Sequence, residues 1–223
     1  MDKLVRKIEI PLARKAVEKA GLYLVKEKDL DKLAEIAADA YLDYPLHNWL
    51  ANGKYDPETS RLLMLVSLKA MTKDAVIYAD SEELNGFAAW FPQGFTGNKP
   101  LPFILNGGLK LFLHAGIGIM GKLLTYEDYG MSLKKESTDH YDWYLFNLSI
   151  KREAQGKGIA TKLMRPMLQF CDDEKMVAYL ETHKGSNVGL YEHYGFDLVK
   201  EEAIPKTSVI HYSMVRKPVS DEK

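Results

Sequence analysis

Gln155-Gly156-Lys157-Gly158-Ile159-Ala160 separates an apolar run, Trp143 to Ile150, from a segment whose apolar residues Ile159, Leu163, Met167, Phe170 and Cys171 recur at helical spacing. A strand, a turn carrying two glycines and a helix that starts at those glycines leave few ways to fold. Such a turn bares its backbone N–H groups, and the helix adds about half a positive charge at that end. Without a Cβ, an anion can approach the amides closely. The segment therefore reads as a phosphate-binding junction between a central strand and a helix, inside one α/β domain.

Two common phosphate loops are excluded by spacing. A P-loop needs GxxxxGK[ST], but Lys157 is followed by Gly158 and no glycine stands five residues before Gly156. A dinucleotide fingerprint would need glycine where Thr161 stands, and it belongs to the first βα unit of a domain rather than beyond residue 150. The pattern that fits is [QR]xxGx[GA], met by Gln155, Gly158 and Ala160.

The remainder supplies the layers. Met1 to Ala20 reads as a charged, helical N-terminal arm, followed by a short strand in "GLYLVKEKDL". Asp29 or Asp31 is expected to cap the helix carrying Leu33, Ile36, Ala37 and Ala40. Pro45 forces Tyr44 out of helical geometry, and Asp56-Pro57 opens the next helix. "AVIYAD" and "GFAAWF" form a hairpin through "SEELN". Leu101 to Leu124 is an insertion of glycine-broken helices. "WYLFNLSI" and "MVAYLET" are central strands, and Pro166 is expected to kink the helix after the glycines. Ser186 or Asn187 should cap a short helix ending at Gly195, before two antiparallel strands in "FDLVKEE" and "SVIHYSMV".

Composition narrows the function. Thirty Lys+Arg against 31 Asp+Glu give a net charge of −1, so no global basic field draws the chain to nucleic acid or an anionic membrane. Lys110, His114 and Lys122 keep the 101–124 stretch short of the ~20 apolar residues of a membrane span. The single cysteine, Cys171, rules out an intrachain disulfide, and the six histidines show no HExxH pairing, so no metal is expected. The charged N-terminus lacks a signal-peptide core, which points to the cytoplasm. Cys171 is aligned with the apolar residues of its helix and is expected to be inert rather than a nucleophile.

Downstream of the glycines, Asn187 and Tyr191 stand four apart, on one face of a short helix. With Gln155 to Ala160, this spacing resembles the GCN5-related N-acetyltransferases (the GNAT superfamily). "AYLDYP", "VIYAD…GFAAWF", "WYLFNLSI", "QGKGIATKLMRPML", "AYLETHKGSNVGLYEHYGF" and "MVRKP" are similar to the branch that includes puromycin N-acetyltransferase, from Leu22 to Pro218. The resemblance implies an arm over 1–20, one acetyltransferase domain over 21–218 with a helical insertion at 101–130 near the acceptor pocket, and a tail over 219–223. It implies an α/β fold whose mixed, largely antiparallel sheet is splayed between two central parallel strands, with helices on both faces and acetyl-coenzyme A in the splay.

The same resemblance assigns roles. Gln155, Gly156, Lys157, Gly158, Ile159 and Ala160 would hold the pyrophosphate, and Leu148 and Ile150 would pair with the pantetheine arm that Asn187 contacts. Tyr191 would protonate the departing thiolate, Glu181 would act as base, and Tyr44 and His183 would line the acceptor pocket. A phenol with pKa near ~10 is protonated at pH 7 and suits that task. The expected acceptor is the amine of a small molecule, attacking directly in a ternary complex; a homodimer is compatible. Alternatives are a peptide or protein amine, or a non-catalytic acyl-coenzyme A sensor. The chain departs from the pattern at Ala160, at His183 where the branch often has serine, and at Lys184-Gly185-Ser186 in place of a turn containing proline and arginine.

Overall fold

Seven strands form one sheet in the computed structural model, which describes residues 2–93 and 103–219. They are β1 (Tyr23–Leu24), β2 (Val76–Ala79), β3 (Gly86–Pro92), β4 (Trp143–Ile150), β5 (Ala178–Thr182), β6 (Asp197–Ala203) and β7 (Ile210–Arg216). Their order is β1-β2-β3-β4-β5-β7-β6, and only β4 and β5 are parallel. The expected mixed, largely antiparallel sheet is what forms. Residues 101 and 102 of the insertion and 220–223 of the tail lie outside the described residues.

Alternation along the strands explains the two layers. On β2 and β3, Val76, Tyr78, Ala88 and Trp90 face one core, while Ile77, Ala79, Phe87, Ala89 and Phe91 face the other. The first face is covered by α1 (Asp2–Lys19) and α6 (Ile159–Asp173), the second by α2 (Leu30–Ala40) and α4 (Pro57–Met71). The other α-helices among the described residues are α3 (Pro45–Leu50), α5 (Leu109–Ser137) and α7 (Val188–Glu192). No helix among the described residues is long and apolar enough to cross a membrane.

Several local expectations are corrected. The segment read as an arm is a helix seated in the core: Ile10, Ala13 and Val17 are buried, and Arg14 donates to the Ala75 carbonyl at 3.1 Å. Asp29 does not cap α2; its carboxylate accepts from the Lys26 N–H and the Tyr23 hydroxyl, closing a 3-10 turn that runs directly into the helix. Neither Ser186 nor Asn187 caps α7, because a 3-10 turn over Gly185–Asn187 leads into it and Asn187 donates instead to Thr182 Oγ1 at 3.3 Å. Helix α6 continues through Pro166. Asp56 does cap α4, accepting the N–H groups of Glu58 and Thr59, with Pro57 as its first residue.

The feature that opens the sheet is a bulge. On β4, Leu145 lies opposite Trp90 and Asn147 opposite Ala89, so Phe146 is an extra residue. A bulge bends its strand and ends regular pairing. Accordingly β4 pairs with β5 only from Trp143↔Ala178 to Leu145↔Leu180, and the two strands part beyond that point.

Candidate active site

The parting strands create a cleft lined by Tyr41, Tyr44, Leu145, Phe146, Asn147, Leu148, Glu181, Asn187 and Tyr191. The bulge also exchanges the faces of β4. Leu148 and Ile150 join Leu145 on the α6 side, and Asn147 turns toward α2, where its amide donates to the Tyr41 hydroxyl. Among the described residues no strand pairs with β4 on the cleft side beyond Leu145, so that edge keeps unpaired backbone groups. The side-chain Oδ1 of Asn147 is also buried, without a hydrogen-bond partner among the described residues. An extended amide-bearing arm such as pantetheine would satisfy an edge of this kind by strand-like pairing.

Between β4 and α6, Gly156 and Gly158 have φ of 74° and 78°, the left-handed region that disfavours side chains. Gly158 begins α6 with no side chain capping the helix, and a Cβ at either glycine would point into open space. Gln155 folds back to donate to the Ile150 carbonyl at 3.2 Å, and the Arg152 N–H donates to Asp39 at 3.0 Å. The turn is thus fastened to the end of β4 and to α2, while Lys157, Ile159 and Ala160 stay at the helix start. Bare amides, a helix N-terminus and unfilled space fit a pyrophosphate.

Tyr191 is buried in α7, one turn after Asn187, and both line the cleft. Burial, with Tyr44 nearby, raises its phenol above the ordinary range, so it carries its proton at neutral pH. Tyr44, held extended by Pro45, accepts the His183 N–H at 2.9 Å and lies 3.2 Å from Thr182 Oγ1.

Glu181 stands near the end of β5 with its side chain only 8% exposed. Its Oε1 is 3.3 Å from Lys134 Nζ and its Oε2 receives the Tyr126 hydroxyl at 3.5 Å. Tyr126 also lies 3.1 Å from His183 Nε2, which is 3.2 Å from His211 Nδ1. The chain of contacts runs on through Ser213 Oγ to the Tyr179 hydroxyl, each step 3.0 Å. Burial pushes His183 well below, and His211 below, the usual imidazole range. Both are neutral at pH 7, and their mutual bond uses one N–H and one lone pair.

The structure therefore brings Leu148, Asn187, Tyr191, Glu181 and Tyr44 to one cleft, with His183 against Tyr44 and Tyr126; Ile150 and Gln155 to Ala160 do not line it and follow its β4 wall in the chain, at the end of β4 and the start of α6. Sequence reasoning missed Tyr41, Asn147, Tyr126, Lys134 and His211. Tyr126, Gly130 and Lys134 follow one i, i+4, i+8 ridge of α5, a pattern visible in the sequence but silent about what it faces. A larger open hollow of about 420 Å³ lies between α2 and α4, lined by Glu35, Asp39, Glu58 and Arg61, and none of the candidate residues reaches it. Among the described residues no group of three or more His, Cys, Asp or Glu is placed to hold a metal ion.

Known proteins share this architecture. The model of the acetyltransferase (GNAT) family matches residues 88–196, from within β3 to just past α7. An uncharacterized N-acetyltransferase of Schizosaccharomyces pombe is 28% identical over 217 residues, spanning 89% of this chain and 84% of its own. Among solved structures, the histone acetyltransferase HPA2 and related acetyltransferase from Corynebacterium glutamicum superposes with a TM-score of 0.58 at 16% identity, covering 91% of this chain and 98% of that one. Arylalkylamine N-acetyltransferase 2 from Aedes aegypti gives 0.55 at 20% identity, covering 88% and 97%. A sheet splayed at a bulge beside a glycine-led helix, with these matches across it, makes the chain an acyltransferase. The family model it matches over residues 88–196 is that of the GNAT acetyltransferases, whose members use acetyl-coenzyme A.

Proposed function

We propose that the chain transfers the acetyl group of acetyl-coenzyme A to the amine of a small molecule, by direct attack within a ternary complex. The observation that carries this reading is the convergence of the open β4 edge, Tyr191 and Glu181 on one cleft. Acetyl-coenzyme A supplies an activated thioester. Backbone N–H groups from Gly156 to Ala160 hold its pyrophosphate, and the β4 edge at Leu148 and Ile150, with Asn187, aligns the arm. Alignment of the two reactants provides much of the acceleration. Glu181 accepts the proton of the attacking amine, and Tyr191 gives its own proton to the sulfur.

Two features support direct transfer to a small acceptor. Cys171 is fully buried and burial pushes its thiol up to about 12, so it offers no thiolate for an acetyl-cysteine. Helix α5 brings Tyr126 and Lys134 to Glu181, and this crowding beside the carboxylate favours a small acceptor. The motifs around Tyr44 and Asn187 favour the branch that includes puromycin N-acetyltransferase, whereas His183 and the Lys184-Gly185-Ser186 turn set its acceptor pocket apart.

Thiol release from acetyl-coenzyme A, measured against puromycin, alkylamines, polyamines, aminoglycosides and short peptides, tests the proposal. Turnover with a small amine, lowered by both Tyr191→Phe and Glu181→Gln, is expected. Tight coenzyme binding without turnover on any amine would replace this reading with an acyl-coenzyme A sensor, and turnover on peptides alone would move the acceptor class.

A further inference from the structure

A primary ammonium already stands beside Glu181, and the chain itself provides it. Lys134, near the end of α5, places Nζ 3.3 Å from Glu181 Oε1 and 3.7 Å from the centroid of the Tyr144 ring. Tyr179 and Tyr141 add further walls, with centroids 5.3 and 5.8 Å from the same nitrogen. The rings touch one another, with Tyr144–Tyr179 centroids 5.8 Å apart and Tyr141–Tyr179 centroids 5.5 Å apart.

Aromatic faces attract cations through their quadrupole, and the attraction grows as water is excluded. Three rings and a carboxylate around one nitrogen amount to a cation cage, more than an exposed helix lysine gains from an ordinary surface pair. The walls are rigid. Tyr144 and Tyr179 belong to β4 and β5, and Tyr141 lies just ahead of β4. The occupant is carried separately, on a helix whose course is interrupted at Gly116, where φ is 78° and ψ is 171°. What the cage holds is an unbranched alkyl chain ending in –NH₃⁺, with its proton-accepting carboxylate at contact distance.

We propose that the cage of Tyr141, Tyr144, Tyr179 and Glu181 is the binding site for the acceptor's ammonium. The acceptor is an unbranched primary alkylamine, and Lys134 is a tethered competitor that must withdraw to admit it. The proposal rests on the acetyl-transfer reading above and names the substrate class of that site. The incoming R–NH₃⁺ loses one proton to the Glu181 carboxylate. The neutral nitrogen then forms the C–N bond at the thioester carbonyl, the C–S bond breaks, the thiolate takes the proton of Tyr191, and the second proton of the new amide nitrogen passes through water to the Tyr191 oxygen.

A resident competitor lowers apparent affinity by the fraction of time it leaves the site free, so nine-tenths occupancy by Lys134 weakens acceptor binding about tenfold. The test is calorimetric titration of n-butylammonium into wild type and Lys134→Ala, without coenzyme. Lys134→Ala is expected to bind at least about tenfold more tightly, and Tyr144→Leu in that background is expected to abolish the gain. Equal or weaker binding by Lys134→Ala overturns the proposal, as does a gain that survives Tyr144→Leu. Thiol release with n-butylamine and acetyl-coenzyme A separates this from the reading it rests on. Tight ammonium binding without release on any amine would keep the cage and remove the acetyl transfer. Normal transfer to other amines without ammonium binding would remove the cage alone.

Discussion

The two ends of the cleft are made of different materials. At the proposed coenzyme end the groups on offer are main chain: a strand edge freed by one extra residue, two glycines in left-handed geometry and the first turn of α6. At the acceptor end they are side chains delivered from distant parts of the sequence: Tyr44, Tyr126, Lys134, Glu181, His183 and His211. Backbone recognition tolerates sequence change provided that the turn and the bulge persist. Side-chain recognition changes with each substitution. One scaffold can therefore keep its donor and exchange its acceptor, and substitutions at the two ends should separate cleanly in kinetics.

The largest effect expected is at the point where the ends meet. Tyr191→Phe removes the proton offered to the sulfur while keeping the ring edge-on to Phe196, so kcat should fall about 10²–10³-fold with coenzyme affinity retained. The loss should be the same for every acceptor, as steady-state kinetics on two chemically unlike amines will show. A loss that depends strongly on the acceptor would mean Tyr191 serves the acceptor end, and the division would fail.

Next in size is an acid weakness at α3, beside Tyr41 and Tyr44. His47, on α3, is buried against Tyr41, with Nδ1 2.8 Å from Ser60 Oγ, and burial lowers its pKa to about 4. The unfolded chain titrates near ~6.5, so between those values only the unfolded state binds the proton. Stability therefore falls as pH drops from about 6.5 to 4, by roughly 3 kcal/mol in total. The depressed His183 adds in the same direction. Urea unfolding at pH 7 and pH 4.5 should show the loss, and His47→Gln should remove much of it. Hydrogen exchange at pH 5 should rise in α3 before α6; the reverse order would break the contrast.

The same contrast explains what was legible in the chain. The glycine turn, the central strands, the Asp56 cap and the Asn187–Tyr191 pair are signals within a few residues of one another, and local chemistry reads them directly. The bulge at Phe146 left no mark, because an extra residue in an apolar strand looks like any other apolar residue. The core role of α1 was hidden by its charge, since only Ile10, Ala13 and Val17 on one stripe are needed to seat it. The acceptor end was least legible. Lys134 and Glu181 are 47 positions apart and Tyr126 and His183 are 57 apart, and nothing local pairs them.

A brace at the far end of α6 from its glycines gives a smaller effect. Arg216 on β7 makes two 2.7 Å hydrogen bonds to Asp172 on α6, and the Val219 N–H adds a third at 2.9 Å. Burial alone would raise the Asp172 carboxyl, but these donors outweigh it and hold the group below its ordinary range. Such a carboxylate contributes stability above its unfolded pKa and loses it as pH falls through the lower folded value, so the brace is intact at neutral pH. Asp172→Asn should cost about 2 kcal/mol, a fall of roughly 4–8 °C in Tm by calorimetry. The order of preference among acceptors should not change.

The smallest effect is the most diagnostic of the coenzyme end. Gly158 has φ of 78°, and a methyl group there would meet no protein atom within 4 Å. Gly158→Ala therefore costs the fold only the left-handed strain, about 1 kcal/mol, with no clash added. Its methyl would stand in the open space from which a phosphate approaches the amides, so coenzyme affinity should also fall, by roughly tenfold. Calorimetric titration with coenzyme A, beside a thermal melt, separates the two losses. A lower Tm with unchanged coenzyme affinity would mean the glycine only shapes the start of α6. The pyrophosphate would then lie elsewhere, and the main-chain character assigned to this end of the cleft would have to be abandoned.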